Sequence, residues 1–290
     1  MSRFLRFVLG LLANLPLWTL HAVGTVLGWM IYGISPTYRR HLKENLAHAA
    51  IDDPAIRREA IAAAGQMIME IPALWFRPHE EVAALVRGTA GLEAAVAARD
   101  AGKTVVFLTP HMGSFEVTAQ FAARLTPITV LYRAPKMAFL EPLMREGRER
   151  PNIRLATADL SGVRELFAAL KRGEPLGFLP DQVPGKGEGE WAEFFGVPAY
   201  TMTLAAKIAA RPEVACFLTY AKRLPKGRGY EIVIRPFQDG RQGETATRRL
   251  NRALEDLVRE CPGQYLWGYN RYKTPRGAKP RPQADVHTSA

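Results

Sequence analysis

Thr-Val-Val-Phe-Leu-Thr-Pro-His-Met-Gly-Ser-Phe-Glu-Val-Thr-Ala-Gln, running from Thr104 to Gln120, is the stretch from which the rest of the chain is read. Val105 to Leu108 is short, β-branched and apolar, as a strand buried on both faces is, and it stops at Thr109-Pro110 because proline cannot donate to a sheet ladder. Ser114 is in place to open a helix, and apolar residues recur at helical spacing from Phe115 onward. The order is therefore buried strand, sharp turn, helix, with His111 in the turn. Because His111 lies ahead of the helix start, its imidazole and the Glu116 carboxylate are expected to converge as a base and its orienter. A neutral imidazole can take a proton from an alcohol near pH 7, and a carboxylate on its other nitrogen fixes the tautomer and stabilises the imidazolium. Open parallel sheets build their sites at the carboxyl ends of strands, where His111 falls. No other histidine lies between His79 and His287, so a multi-histidine metal site is not expected.

Working outward, strand and helix patterns alternate. Ile128 to Tyr132 reads as a strand, Phe139 to Arg148 as a helix, Ile153 to Ala156 as a strand, Ser161 to Lys171 as a helix and Leu176 to Leu179 as a strand. Residues 180–200 read as a glycine- and proline-bearing loop. Thr201 to Arg211 resumes as a helix, Val214 to Tyr220 and Tyr230 to Pro236 as strands, and Thr245 to Glu260 as a last helix. Such alternation predicts an α/β fold, a mainly parallel sheet flanked by helices. Upstream, a helix over 36–48, another from Pro54 to about Ile71-Pro72, and a third from Gly91 to Arg99 complete the scaffold.

The N-terminus differs in kind. Phe7 to Tyr38 holds no Asp, Glu, Lys or Arg, and a bilayer-spanning helix needs roughly 20 apolar residues. Basic residues flank both ends, Arg3 and Arg6 before and Arg39, Arg40 and Lys43 after, so charge gives no clean orientation. The absence of a small-x-small cleavage site favours a retained membrane segment, one helix or a bent re-entrant pair, over a signal peptide. Residues 1–38 are thus expected to be a membrane-associated anchor, 39–273 the catalytic domain, and 274–290 a disordered basic tail. An apolar content of 48% excludes disorder throughout, and a net charge of +11 favours an anionic partner. Cys216 and Cys261 lack metal-ligand spacing and read as core residues.

The strand ends gather further candidates. Tyr132-Arg133 closes the second strand and Pro180-Asp181-Gln182 the fourth, while Arg148 and Arg164 lie on the intervening helices. Arginine binds phosphate bidentately, so Arg133, Arg148 and Arg164 are expected to meet anionic parts of substrates, with Asp181 and Gln182 as orienting groups. Each arginine alone is better read as a solvated charge, and it is together, with the basic composition, that they suit phosphate groups. The glycines from Pro184 to Gly189 do not form a phosphate cradle of the Gly-x-x-x-x-Gly-Lys type, and Ser114 lacks a Gly-x-Ser-x-Gly elbow.

With these residues placed, His-Met-Gly-Ser-Phe-Glu resembles the His-x-x-x-x-Asp/Glu signature of glycerolipid-type acyltransferases. The surroundings are similar to the bacterial lipid A biosynthesis acyltransferases that add lauroyl or myristoyl chains. The resemblance runs through Tyr132 to Lys136, Arg148, Pro180-Asp181-Gln182, Phe194 to Ala199 with Thr201 and Thr203, Gln264 to Trp267 and Arg271-Tyr272-Lys273, and takes in Arg39-Arg40 with Asn45-Leu46. The chain departs from it at Ser114-Phe115, Val183-Pro184 and Gly268-Tyr269-Asn270. The resemblance implies a glycerolipid acyltransferase-like fold and an O-acyltransferase that takes its acyl group from acyl carrier protein and passes it to a hydroxyl of a lipid A precursor. It also implies a place on the cytoplasmic face of the inner membrane, and direct transfer with His111 as base, Glu116 as its holder, Arg148 or a backbone N–H near Gly113 at the oxyanion, and neither metal nor cofactor.

Three rivals remain at the level of sequence. One keeps the chemistry and changes the acceptor to a lysophospholipid, an amino-acid lipid or another glycolipid. A second is a non-catalytic membrane lipid-binding protein. The third, nucleic-acid binding, has charge in its favour but no recognition motif, and no nucleic acid is expected as a partner.

Overall fold

The molecule, described for residues 3–135, 137–185, 187–238 and 241–282 by a computed structural model, opens with two helices, α1 (Arg3–Ala13) and α2 (Leu17–Ile34). Pro16 divides them by holding an extended backbone, φ −54° and ψ 142°. Helix α3 (Pro36–His48) is capped by the Ser35 hydroxyl, which accepts from the Tyr38 N–H, and α4 (Pro54–Phe76) by Asp53, which accepts from the Ala55 N–H. Both start on proline, whose missing N–H costs nothing at a first turn. Helix α4 continues past Pro72, where the sequence predicts its end. Pro72, Ala73, Leu74 and Trp75 are all buried, so packing of that last stretch outweighs the hydrogen bond that the proline forfeits.

Then come α5 (His79–Ala83), β1 (Val86–Ala90), α6 (Leu92–Asp100), β2 (Thr104–Leu108), α7 (Phe115–Leu125), β3 (Ile128–Tyr132), α8 (Glu141–Arg148), β4 (Ile153–Thr157), α9 (Leu160–Lys171) and β5 (Leu176–Phe178). The chain continues through β6 (Gly189–Phe194), β7 (Val197–Met202), α10 (Thr203–Ala209), β8 (Val214–Arg223), β9 (Tyr230–Pro236) and α11 (Ala246–Glu260). The main sheet has the order β1-β9-β8-β2-β5-β3-β4, parallel throughout except for the antiparallel β8–β9 pair. This is the mainly parallel, helix-flanked α/β architecture read from the alternation.

Strand β1, the hairpin β6–β7 and the short helix α5 escape that reading. Strand β1 carries a glycine and is mostly exposed, and it joins the sheet edge only by parallel pairing with β9. The stretch read as a loop over 180–200 contains the hairpin β6–β7, closed at Phe195 (φ 49°) and Gly196 (φ 72°). Positive φ at both turn residues matches the twist of a tight hairpin, and Phe195 is held there by packing on Trp267 and by its N–H donating to Glu255 Oε1 at 2.9 Å. Residues 274–282 lie along this hairpin, with Trp191 Nε1 donating to the Lys279 carbonyl at 2.9 Å. The remainder of the expected tail, 283–290, lies outside the described residues.

Helix α2 is long and apolar enough to cross a membrane, with a mean hydropathy of 1.3 over Leu17–Ile34. Its Leu17, Leu20, His21, Gly24 and Gly28 form a buried stripe that faces α4. The two helices meet backbone to backbone: a Cβ on Gly28 would stand 2.1 Å from the Ile61 carbonyl oxygen, and one on Gly65 1.9 Å from that of Gly24.

Candidate active site

Strand order explains the site. Strands β2 and β5 are neighbours, with Leu108 paired to Phe178. His111 follows Leu108 by the same interval as Asp181 follows Phe178, so the two side chains leave adjacent strand ends side by side. His111 Nδ1 lies 2.8 Å from Asp181 Oδ1, and the His111 backbone N–H donates to Asp181 Oδ2 at 2.9 Å. Asp181 is buried and His111 partly exposed. Burial pushes the Asp181 carboxyl up, but the His111 charge and the two bonds it receives outweigh that and leave it below its ordinary value. A carboxylate on Nδ1 leaves Nε2 as the basic nitrogen.

The turn carrying His111 is fixed by its backbone. The Gly113 N–H donates to the Gln264 carbonyl (2.9 Å), the Ser114 N–H to that of Ala221 (2.8 Å), and the His111 carbonyl accepts from the Leu266 N–H (3.0 Å). Gly113 has φ 56°, and a Cβ there would stand 2.0 Å from the Ala221 carbonyl oxygen, so this position requires glycine twice over. The Gly113 N–H is thereby spent and is not a free donor for an oxyanion. Ser114 does sit at the N-cap position of α7, but its hydroxyl makes no cap bond.

Glu116 is not the partner of His111, contrary to the sequence expectation. It lies one residue into α7 and turns toward α8 and α4, where Arg148 Nε donates to both its oxygens (3.0 and 3.1 Å), Arg148 Nη2 donates to Oε1, and Trp75 Nε1 donates to Oε2 (3.2 Å). The physical reason is competition. A guanidinium and an indole N–H occupy the carboxylate, while Asp181 already saturates the Nδ1 side of the imidazole. The Arg148 guanidinium also lies 5.9 Å from the centroids of both the Trp75 and Tyr132 rings. Burial works against its charge, and Glu116 outweighs burial, so its pKa is raised.

The remaining candidates are dispersed. Arg133 is exposed, with Glu188 Oε2 4.0 Å away. Arg164 is exposed on α9, and Gln182 is half-buried beside Asp181. Sequence reading missed Trp75, whose helix is far from the motif in the chain, and Tyr265, which pairs with Met112 across a β-bridge and is buried next to Asp181. Among the described residues, no group of three or more His, Cys, Asp or Glu side chains could hold a metal ion.

An apolar cavity runs between α7 and the sheet. Phe115, Glu116, Tyr132 and Arg148 line one end, and Phe107, Ala119, Phe121, Ile128, Val130 and Gly177 line its body. It sets an apolar lining beside the Glu116–Arg148 corner, the chemistry that a fatty chain with a polar head requires.

The profile of the family described as bacterial lipid A biosynthesis acyltransferase matches residues 4–274. The lipid A biosynthesis palmitoleoyltransferase of Escherichia coli (strain K12) is 27% identical over 275 residues, covering 92% of this chain and 89% of that protein. The lauroyltransferase of the same strain is 25% identical over 222 residues (75% and 72%), and the myristoyltransferase 25% over 237 residues (79% and 71%).

Proposed function

The chain belongs to the bacterial lipid A biosynthesis acyltransferase family, and on that premise we propose that it moves a fatty acyl chain from acyl carrier protein to a hydroxyl of a lipid A precursor, with His111 as general base. Acyl transfer in lipid A biosynthesis follows from the family. The observation that carries it is the double contact of Asp181 with His111, at 2.8 and 2.9 Å, at the ends of two neighbouring strands.

In this reading Asp181 accepts the Nδ1 proton of His111, and Nε2 removes the proton of the acceptor hydroxyl as its oxygen attacks the thioester carbonyl. The tetrahedral intermediate collapses to the ester and a thiolate, and His111 Nε2 returns the proton to that sulfur. Atoms and charge balance without a covalent enzyme intermediate. Glu116 serves the reaction by aiming Arg148, whose fixed positive charge at the cavity mouth suits the oxyanion or a phosphate of the acceptor. Arg133 and Arg164, both exposed, suit the acidic surface of the carrier protein, and Gln182 the acceptor head group. The apolar cavity takes the acyl chain. A catalytic domain facing the cytoplasm at the inner membrane would meet both substrates.

Purified protein given acyl-loaded carrier protein and a lipid A precursor, with products read by mass spectrometry, tests this. Acylated precursor is expected from the wild type, and about 100- to 10,000-fold less from folded His111→Ala. Transfer by His111→Ala at the wild-type rate would sink the mechanism. Acylation of a lysophospholipid instead, with none of the precursor, would shift the acceptor to the rival reading.

A further inference from the structure

We infer that α1 and α2 lie in the plane of one anionic membrane leaflet, seated on its surface beside the catalytic domain, and do not cross the bilayer. This deepens the membrane reading given above and needs no step of the acyl transfer.

Helix α2 is apolar on two opposite faces. One is the stripe locked to α4 through Gly24, Gly28 and Gly65. The other carries Trp18, Val26, Trp29 and Met30, which are 61%, 61%, 43% and 53% exposed, and Phe7 and Leu11 add an i, i+4 pair on α1. Large aromatic and aliphatic side chains left bare on one face of a helix suit the boundary between head groups and acyl chains.

Locking to α4 rules on the direction. Because Gly28 meets Ile61 while His21 meets Glu70, the two helices run antiparallel along their whole contact. Helix α4 belongs to the catalytic domain: Trp75 holds Glu116, and Glu70 is paired to Arg223 of β8 at 2.6 Å. A spanning α2 would carry α4 with it, and with α4 the exposed Arg58 and Glu59 and the Glu70–Arg223 pair, toward hydrocarbon, where charges are costly.

Both ends of α2 also sit among basic groups on the same body. At one end Arg39 Nη1 donates to the Tyr32 and Gly33 carbonyls, with Arg40 exposed on the next turn. At the other, the Pro225–Gly227 turn packs so closely that a Cβ on Gly227 would meet Trp18 Cα at 2.4 Å, which sets exposed Lys226 and Arg228 beside Trp18. Positive charge at both ends suits anionic head groups along the length of an in-plane helix.

Vesicles of phosphatidylethanolamine and phosphatidylglycerol test it with the full chain. Asn14→Cys and Gly33→Cys place thiols at the two ends of α2; Gly33 has open space for a Cβ, and burial holds the native Cys216 and Cys261 thiols protonated. Both new thiols should react with an impermeant maleimide added outside intact vesicles, and one shielded until detergent is added would mean a spanning helix and overturn the inference. Lipids brominated near the head group should quench Trp18 and Trp29 fluorescence, judged against Trp18→Phe and Trp29→Phe, more than lipids brominated near the chain end. Replacing Trp18, Trp29 and Met30 together by Ser should weaken vesicle binding by at least about tenfold. A lipid-free dimer that shields these residues, or unchanged vesicle binding, would overturn it too. Acyl transfer assayed in detergent micelles is read separately, so its loss would bear on the proposed function and not on the docking.

Discussion

Asp181 and Glu116 are two carboxylates within one site that hold different partners, a histidine and an arginine, and this division of labour can be measured. Asp181→Asn keeps the shape beside His111 but removes the charge that favours the imidazolium, so a loss of about 100-fold or more in kcat is expected. In the proposed mechanism His111 and Asp181 act on one proton transfer, so the double variant His111→Ala/Asp181→Asn should be scarcely slower than His111→Ala. Glu116→Gln frees Arg148, so its loss should appear largely in KM and should add to that of His111→Ala. Additive losses for His111 with Asp181, and none for His111 with Glu116, would reverse these assignments. The place of His111 was legible because the buried apolar strand before it stops at Thr109-Pro110, which leaves the histidine in the turn. Its partner was not, because which carboxylate meets it depends on β5 lying next to β2, and strand order leaves no local mark. Glu116, five residues away, was the nearer choice in sequence and lost to Asp181, which lies 70 residues on.

Elements repeat the lesson at a larger size. Helices and buried parallel strands were readable from their period, as β2, β3, β8, β9, α9 and α11 show to within a few residues. Strand β1 and the hairpin β6–β7 were not, since their pairing comes from neighbours and from two positive-φ residues, one of them the atypical Phe195. The cavity between α7 and the sheet is a product of packing, invisible before α7 is laid on β3. Its depth is open to test: Ala119 faces it from α7 and Gly177 from β5. Ala119→Phe should block the body of the cavity while sparing His111, so transfer from a 16-carbon donor is expected to fall at least about tenfold more than from a 10-carbon donor, since losing the burial of even two methylenes costs about 1.6 kcal/mol. Equal losses across a donor series would place the chain elsewhere.

Across the whole molecule, helix α2, helix α4 and the turn that carries His111 meet at one buried carboxylate. Glu70 of α4 accepts from Arg223 Nε and Nη2 (3.0 and 2.6 Å) and from the Tyr230 hydroxyl (2.9 Å), and lies 3.2 Å from His21 Nε2 of α2. Arg223 Nη2 also donates to the Gly113 carbonyl at 2.8 Å, so the same pair steadies the turn that carries His111. Burial pushes the Glu70 carboxyl up, but Arg223 and His21 outweigh it and bring it from 4.5 down to about 2. The sign follows by linkage. A depressed folded pKa contributes stability that is complete above about 4.5 and is lost as pH falls toward about 2. Urea unfolding of the wild type should therefore weaken through that window, and Glu70→Gln, which has no proton to gain, should show a shallower decline there. At neutral pH, Glu70→Gln should already be less stable by about 3–5 kcal/mol, because Arg223 is left buried without its counter-charge. Wild-type and Glu70→Gln curves that fall in parallel between about pH 4.5 and pH 2 would mean that Glu70 is not the group protonated there, and the buried pair would lose its place as the joint between α2 and the His111 turn.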